Sequence, residues 1–287
     1  IDSSNVTPAN WAALAELIRD NYARYDGFVV LHGTDTMSYT ASAMSFMLEN
    51  LAKPVVFTGS QIPIGVLRTD GRENLITAIE IAGAHIGGRP EVPEVSLYFQ
   101  NRLFRANRTT KRSAEALSAF RSYNYPPLAE VGVNIAYNLP AILHPTEISP
   151  QLRIATRLAD GIEVVKLFPG LGENILRAML SAPGLRAVVL ETFGAGNAPT
   201  NEWFIRVLKE AIGRGIIILN ITQCGGGKVS MELYETGLRL QEIGVLCGHD
   251  MTTEAAVTKL MYVLGLDLPD DRTRALLRRP LRGEFTA

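Results

Sequence analysis

The chain has 287 residues, 47% of them apolar and 20% charged, which excludes a disordered protein and leaves material for two cores or one large α/β unit. Lysine and arginine number 28 against 29 aspartate and glutamate, a balance that favours neither nucleic acid nor an anionic membrane as partner. Two cysteines, Cys224 and Cys247, are too few for a disulfide framework, and no apolar run approaches the ~20 residues that span a bilayer, so a cytoplasmic setting is expected.

The opening residues IDSSNVTP carry no initiator Met and no signal-peptide pattern, and read as a start in mid-protein. The first apolar run, GFVVL at 27–31, leads through HGTDT at 32–36 into helical spacing from Tyr39 to Leu51. The second, PVVFT at 54–58, leads into Ser60, Gln61 and then helical spacing from Leu75 to Ala84. A third run, EVSLYF at 94–99, precedes an arginine-rich stretch between Arg102 and Arg121 that suits a solvated face. The segment at 138–152 holds three prolines and reads as a connector, which places domains at 1–145 and 151–287.

Beyond the connector, AVVLE at 187–191 and GIIILN at 215–220 are again strand-like. Between them Phe204, Val207, Leu208 and Ala211 share one helical stripe, with Asn197 or Thr200 as the expected cap and Gly213 near the stop. Runs that are apolar on both faces suit strands of a covered parallel sheet, and strand–loop–helix repetition makes the fold class α/β.

In such sheets ligands bind at the carboxyl ends of strands, so the loops after them hold the candidate chemistry. Thr34 and Asp35 after the first strand suit either a site or a turn with a helix cap. Ser60 and Gln61 suit either a polar ligand or a turn whose Asp70 caps the next helix; Lys111 after Thr109 and Thr110 suits a site or a solvated loop. No GxSxG, HExxH or CxxC is present, and the four histidines are dispersed, so no metal is expected. GLGENI from Gly170 lacks the third glycine of a dinucleotide fingerprint, and the three glycines before Lys228 lack P-loop spacing, so no cofactor is expected either.

Taken together, HGTDT at 32–36, TGSQIP at 58–63, TDGRENL from Thr69, NRTTK at 107–111 and FGAGNAP at 193–199 resemble, in this order, the L-asparaginases, most closely the type I cytoplasmic branch. The ending LRGEFT, 281–286, resembles the asparaginase domain of larger animal homologues. The resemblance implies a larger N-terminal domain with a flavodoxin-like parallel sheet and a smaller C-terminal α/β domain. It implies hydrolysis of L-asparagine to L-aspartate and ammonia through a threonine nucleophile and an acyl-enzyme, in a homodimer or homotetramer with sites between subunits. By the same match Thr34, Asp35 and Lys111 are catalytic, Ser3 and Ser4 hold the substrate α-carboxylate, Asp35 takes its α-ammonium group, and Tyr234 reaches a neighbouring subunit's pocket.

These residue types suit the chemistry. An amide is a poor electrophile, so a nucleophilic hydrolase needs an activated hydroxyl, and a lysine beside a threonine both stabilises alkoxide character and relays a proton. The family's strand leading to a TGGTIG-like turn, with its first catalytic threonine, and its tyrosine-bearing lid are expected upstream of Ile1. The family's effector site in some bacteria matches Thr110, Glu191 and Cys224, and Glu191 stands where an arginine is expected, which puts cooperativity in doubt. Two other outcomes of the same resemblance are an asparaginase-like amidotransferase subunit, which the near-neutral charge disfavours, and a non-catalytic homologue that holds asparagine or aspartate.

Overall fold

A computed structural model describes residues 1–145, 151–233 and 235–286. The chain separates into two compact units, Ile1–Arg157 and Leu158–Ala287. The connector expected at 138–152 includes residues 146–150, which lie outside those described. On its far side Arg153–Ile154 pairs antiparallel with Leu48–Glu49 of the first unit.

The first unit contains helix α1 (Pro8–Asn21), strand β1 (Phe28–Leu31), α2 (Met37–Met47), β2 (Val55–Thr58), α3 (Gly71–Gly83), β3 (Val95–Phe99), β4 (Arg102–Arg105), β5 (Thr110–Lys111), β6 (Phe120–Arg121), β7 (Ala129–Val131) and β8 (Ile135–Tyr137). Six strands form one sheet in the order β1-β2-β3-β4-β7-β8, while β5 and β6 pair separately. β1, β2 and β3 are parallel, and every residue of β2 and β3 is buried, as their two-sided apolar character requires.

The parallel order stops at β3. Gln100 and Asn101 both take positive φ, +43° and +66°, which makes a two-residue hairpin turn, and β4 returns antiparallel. β7 and β8 continue antiparallel, so the expected α/β class is present with a mixed sheet. α2 buries ten of its eleven residues and ends at Met47 instead of near Leu51, because Leu48 leaves helical dihedrals (φ −90°, ψ 88°) for a short strand. Val56, Ala78, Ile81, Tyr98, Leu103 and Leu128 meet in the core between sheet and helix.

The second unit contains β9 (Ile162–Lys166), α4 (Glu173–Leu180), β10 (Ala187–Thr192), α5 (Glu202–Gly213), β11 (Ile217–Thr222), α6 (Glu235–Glu242), β12 (Leu246–Cys247), α7 (Thr253–Gly265) and α8 (Asp270–Leu277). Its four strands are all parallel, in chain order. Phe204, Val207, Leu208 and Ala211 are buried as one stripe of α5. Asn201 occupies the position before the helix, without a side-chain capping bond; Asn197 instead bridges to Phe193 and accepts a hydrogen bond from Thr236. Among the described residues no helix is long and apolar enough to cross a membrane, and both cysteines are free.

Candidate active site

β1 and β2 run side by side, with the His32 N–H donating to Thr58 O at 2.9 Å just beyond the pairing. The loops that follow touch because residue 59 is glycine: a Cβ there would lie 2.2 Å from His32 O. One loop carries Thr34 and Asp35, and the other carries Gln61. Lys111 arrives from elsewhere, at the end of β5 in the small hairpin with β6.

The Lys111 ammonium donates to Thr34 Oγ1 at 2.9 Å and to Asp35 Oδ1 at 2.6 Å. Local pattern left each of these three open between chemistry and ordinary loop duty, the resemblance pointed to chemistry, and folding brings them into one cluster. The Lys111 side chain is 19% exposed while that of Asp35 is 65% exposed, so the lysine is sheltered and the carboxylate faces solvent. Thr34 Oγ1 in turn donates to Gln61 Oε1 at 2.9 Å.

Neither the residue before α2 nor the one before α3 caps its helix with its side chain, so the cap expected of Asp70 is not made. Thr36 occupies the position before α2, but its hydroxyl donates to Ser3 O at 2.6 Å. Asp70 occupies the position before α3, yet its carboxylate turns back to accept from the Gln61 and Ile62 N–H groups, at 3.1 and 3.0 Å, and from Asn74 Nδ2 at 3.2 Å. Thr36 thus takes a partner 33 residues away, and Asp70 takes the N–H groups of the turn eight and nine residues before it. Asn74, 3% exposed, also donates to Gly59 O at 2.9 Å and so completes the support of this turn.

Ser3 and Ser4 lie in the single turn Ser3–Asn5. Ser3 is buried against the first loop, close enough that a Cβ on Gly33, the residue before Thr34, would fall 2.7 Å from its Oγ. Ser4 is exposed and donates its hydroxyl to Asp2 Oδ1 at 2.8 Å. Tyr234 lies outside the described residues. Glu191 belongs to the second unit, where it accepts from Thr253 Oγ1 at 2.6 Å and stands 3.8 Å from Lys166 Nζ.

His32 supports the first loop from behind. Its Nδ1 donates to Gly33 O at 2.7 Å, since a carbonyl only accepts, and in the neutral ring Nε2 accepts from Thr40 Oγ1 at 2.9 Å; Trp11 Nε1 donates to the same hydroxyl at 3.0 Å. This arrangement needs a neutral ring. Burial lowers the His32 pKa below the usual histidine value, opposed by the bond to Gly33. The support by Asp70, Thr36 and His32 was missed because Thr36 finds its partner 33 residues away and Asp70 and His32 bond back across their own turns, which no helix or strand spacing encodes; the one local signal is the density of hydroxyl, carboxylate and amide groups just after apolar strands.

A hydroxyl held on an ammonium, with a solvent-facing carboxylate beside it, is equipped for nucleophilic hydrolysis of a small substrate carrying a positive charge. Comparison with known proteins points the same way. Residues 1–143 match the family model described as Asparaginase, N-terminal, and residues 161–277 match the Glutaminase/Asparaginase C-terminal domain. The chain is 47% identical over 287 residues to L-asparaginase 1 of Escherichia coli K12, covering all of this chain and 82% of that protein. It is 45% identical over 288 residues to the 60 kDa lysophospholipase of Mus musculus, covering 99% of this chain and 49% of that one. The crystal structure of L-asparaginase I from Vibrio cholerae superposes with a TM-score of 0.91 at 44% identity, covering all of this chain and 84% of that one. The chain belongs to the asparaginase family.

Proposed function

We propose that this protein hydrolyses L-asparagine to L-aspartate and ammonia through a threonine nucleophile and an acyl-enzyme, with Thr34, Asp35 and Lys111 as its catalytic group. The observation that carries this reading is the Lys111 ammonium bridging Thr34 Oγ1 at 2.9 Å and Asp35 Oδ1 at 2.6 Å. A threonine at its free pKa is a weak nucleophile or proton carrier; a lysine in hydrogen-bond contact lowers the cost of alkoxide character and offers a proton relay. Asp35 selects a free amino acid, because its exposed carboxylate pairs with a substrate ammonium that a peptide lacks. Ser3 and Ser4, in the turn Ser3–Asn5 that packs against Gly33, receive the α-carboxylate.

We further propose a cytoplasmic homodimer or homotetramer in which Tyr234 completes a neighbour's site. Mixing a Thr34→Ala chain with a Tyr234→Phe chain under subunit exchange tests this: activity returns if the two residues act from different chains, and stays lost if they do not. The central test is ammonia release from L-asparagine by the full-length gene product. Binding of L-aspartate without turnover would favour a non-catalytic homologue instead.

A further inference from the structure

Gln61 stands beside the proposed hydroxyl–ammonium pair with its own task unassigned. Its Nε2 donates to Ala114 O at 3.1 Å and to Ala116 O at 3.2 Å, while its Oε1 accepts from Thr34 Oγ1 at 2.9 Å. These partners decide which way the amide points: carbonyls only accept, so the NH2 end faces Ala114 and Ala116 and the oxygen is left for Thr34. A lysine ammonium only donates, so Thr34 Oγ1 receives from Lys111 and directs its own proton at Gln61.

The glutamine is fixed at both ends. Its backbone N–H donates to Asp70 Oδ1 and Oδ2, each at 3.1 Å, and Asp70 is held in turn by the buried Asn74. The two carbonyls that receive Nε2 belong to the segment between β5, which carries Lys111, and β6. One side chain therefore spans from the loop that follows the lysine to the threonine that the lysine contacts. A glutamine present only to form the turn after β2 needs neither of these side-chain bonds.

We propose that Gln61 is a positioning residue of the reaction: its carboxamide locks the Thr34 hydroxyl in one rotamer and one proton direction, with an oxygen lone pair kept toward Lys111. An amide oxygen is too weakly basic to take the proton, so Gln61 orients the hydroxyl and does not deprotonate it. Its contribution is preorganisation, the removal of rotamers in which Thr34 faces away from its partner. The inference rests on the reading of Thr34 and Lys111 given under Proposed function.

Two substitutions in the full-length gene product separate orientation from simple loop support. Gln61→Met removes the acceptor and both donors, whereas Gln61→Glu keeps an acceptor for Thr34 and loses the donors to Ala114 and Ala116. With asparagine as substrate, Gln61→Met is expected to lower kcat about 10–100-fold while KM stays within about threefold. Gln61→Glu is expected to recover part of that loss and to move its pH–rate profile to higher pH, because the new carboxylate favours the protonated form of its neighbours. Equal losses in both variants, tracking a common fall in melting temperature, would mean that Gln61 only ties down the loop and would overturn the proposal. So would an unimpaired Gln61→Met. Thr34→Ala and Lys111→Met run in the same assay keep the two ideas apart: full activity in those variants removes the reading beneath, while their inactivity beside an unimpaired Gln61→Met defeats the Gln61 inference alone.

Discussion

Lys111–Asp35 in the first unit and Lys259–Glu284 in the second are both lysine–carboxylate pairs at 2.6 Å, yet their surroundings are opposite. Both side chains of the second pair are fully buried. Lys259 Nζ also donates to Leu277 O at 3.0 Å and Arg279 O at 2.7 Å and sits 4.7 Å from the centre of the Phe285 ring. Glu284 meanwhile accepts from the Leu281 and Arg282 N–H groups at 3.0 and 2.8 Å. Each ammonium donor there has a permanent acceptor, so the pair fastens the chain end and has nothing left to react. Lys111 gives one donor to a hydroxyl and one to a carboxylate that is 65% exposed, a pair that an incoming charge can rearrange. On the proposed function, the two pairs differ in whether solvent can reach one partner, and not in the distance between the charges.

The strongest way to break this contrast is at Lys111. Lys111→Met should cost roughly 10²–10⁴-fold in kcat with melting temperature nearly constant, and a Thr34→Ala/Lys111→Met double variant should be no worse than either single one. Additive losses in the kinetics would mean that the two residues do not act together. Lys259→Met should do the reverse, lowering unfolding free energy by about 3–5 kcal/mol because Glu284 is left buried and uncompensated, with activity per folded molecule retained. Urea unfolding measures this, and a stability loss under about 1 kcal/mol would show that the buried pair is dispensable.

Asp35→Asn sharpens the other partner. It keeps the shape and removes the charge, so KM for asparagine should rise by the roughly 10–100-fold that corresponds to losing about 1.5–3 kcal/mol from a charged hydrogen bond, with little change in melting temperature. Unchanged binding of asparagine and aspartate would reduce Asp35 to a loop residue. The smallest effect concerns pH. Burial lowers the pKa of both His32 and His249 below the usual 6.5, so below that pH the unfolded chain binds more protons than the folded one. Their contribution to stability is complete above about pH 6.5 and falls as the pH drops through the lowered folded values. Melting temperatures across this range should decline on acidification, and His32→Gln, which keeps a donor and an acceptor for Gly33 and Thr40, should flatten part of the slope. An identical slope in that variant would exclude His32 as a contributor.

The apolar runs at 27–31, 54–58, 94–99, 187–191 and 215–220 each contain a strand, with ends shifted by one or two residues at most. They were legible because a continuous apolar run of four to six residues bounded by turn residues suits a strand; the last four are buried throughout, whereas Phe28–Leu31 is half-buried with Leu31 exposed. The strand Ile162–Lys166 was not, because it sits at the sheet edge, exposes Glu163, Val164 and Lys166, and mixes charge into its pattern. The antiparallel half of the first sheet was missed for a similar reason: Arg102–Arg105 reads as a basic stretch, and its strand character comes from pairing on either side with β3 and β7.

By itself the chain determined its α/β class, the strands of its two sheets that are apolar on both faces, and the identity of Thr34, Asp35 and Lys111 as candidates, since all of these follow from local pattern or from motifs in a set order. Only the tertiary structure decided that Lys111 contacts Thr34, that Asp70 and Thr36 brace loops instead of capping helices, and that the Gln61 amide turns its oxygen to the threonine. Hydrogen-bond partners are chosen by competition among groups brought within about 3 Å, and most of the groups that won here are backbone carbonyls and side chains from distant segments, whose positions no local spacing encodes.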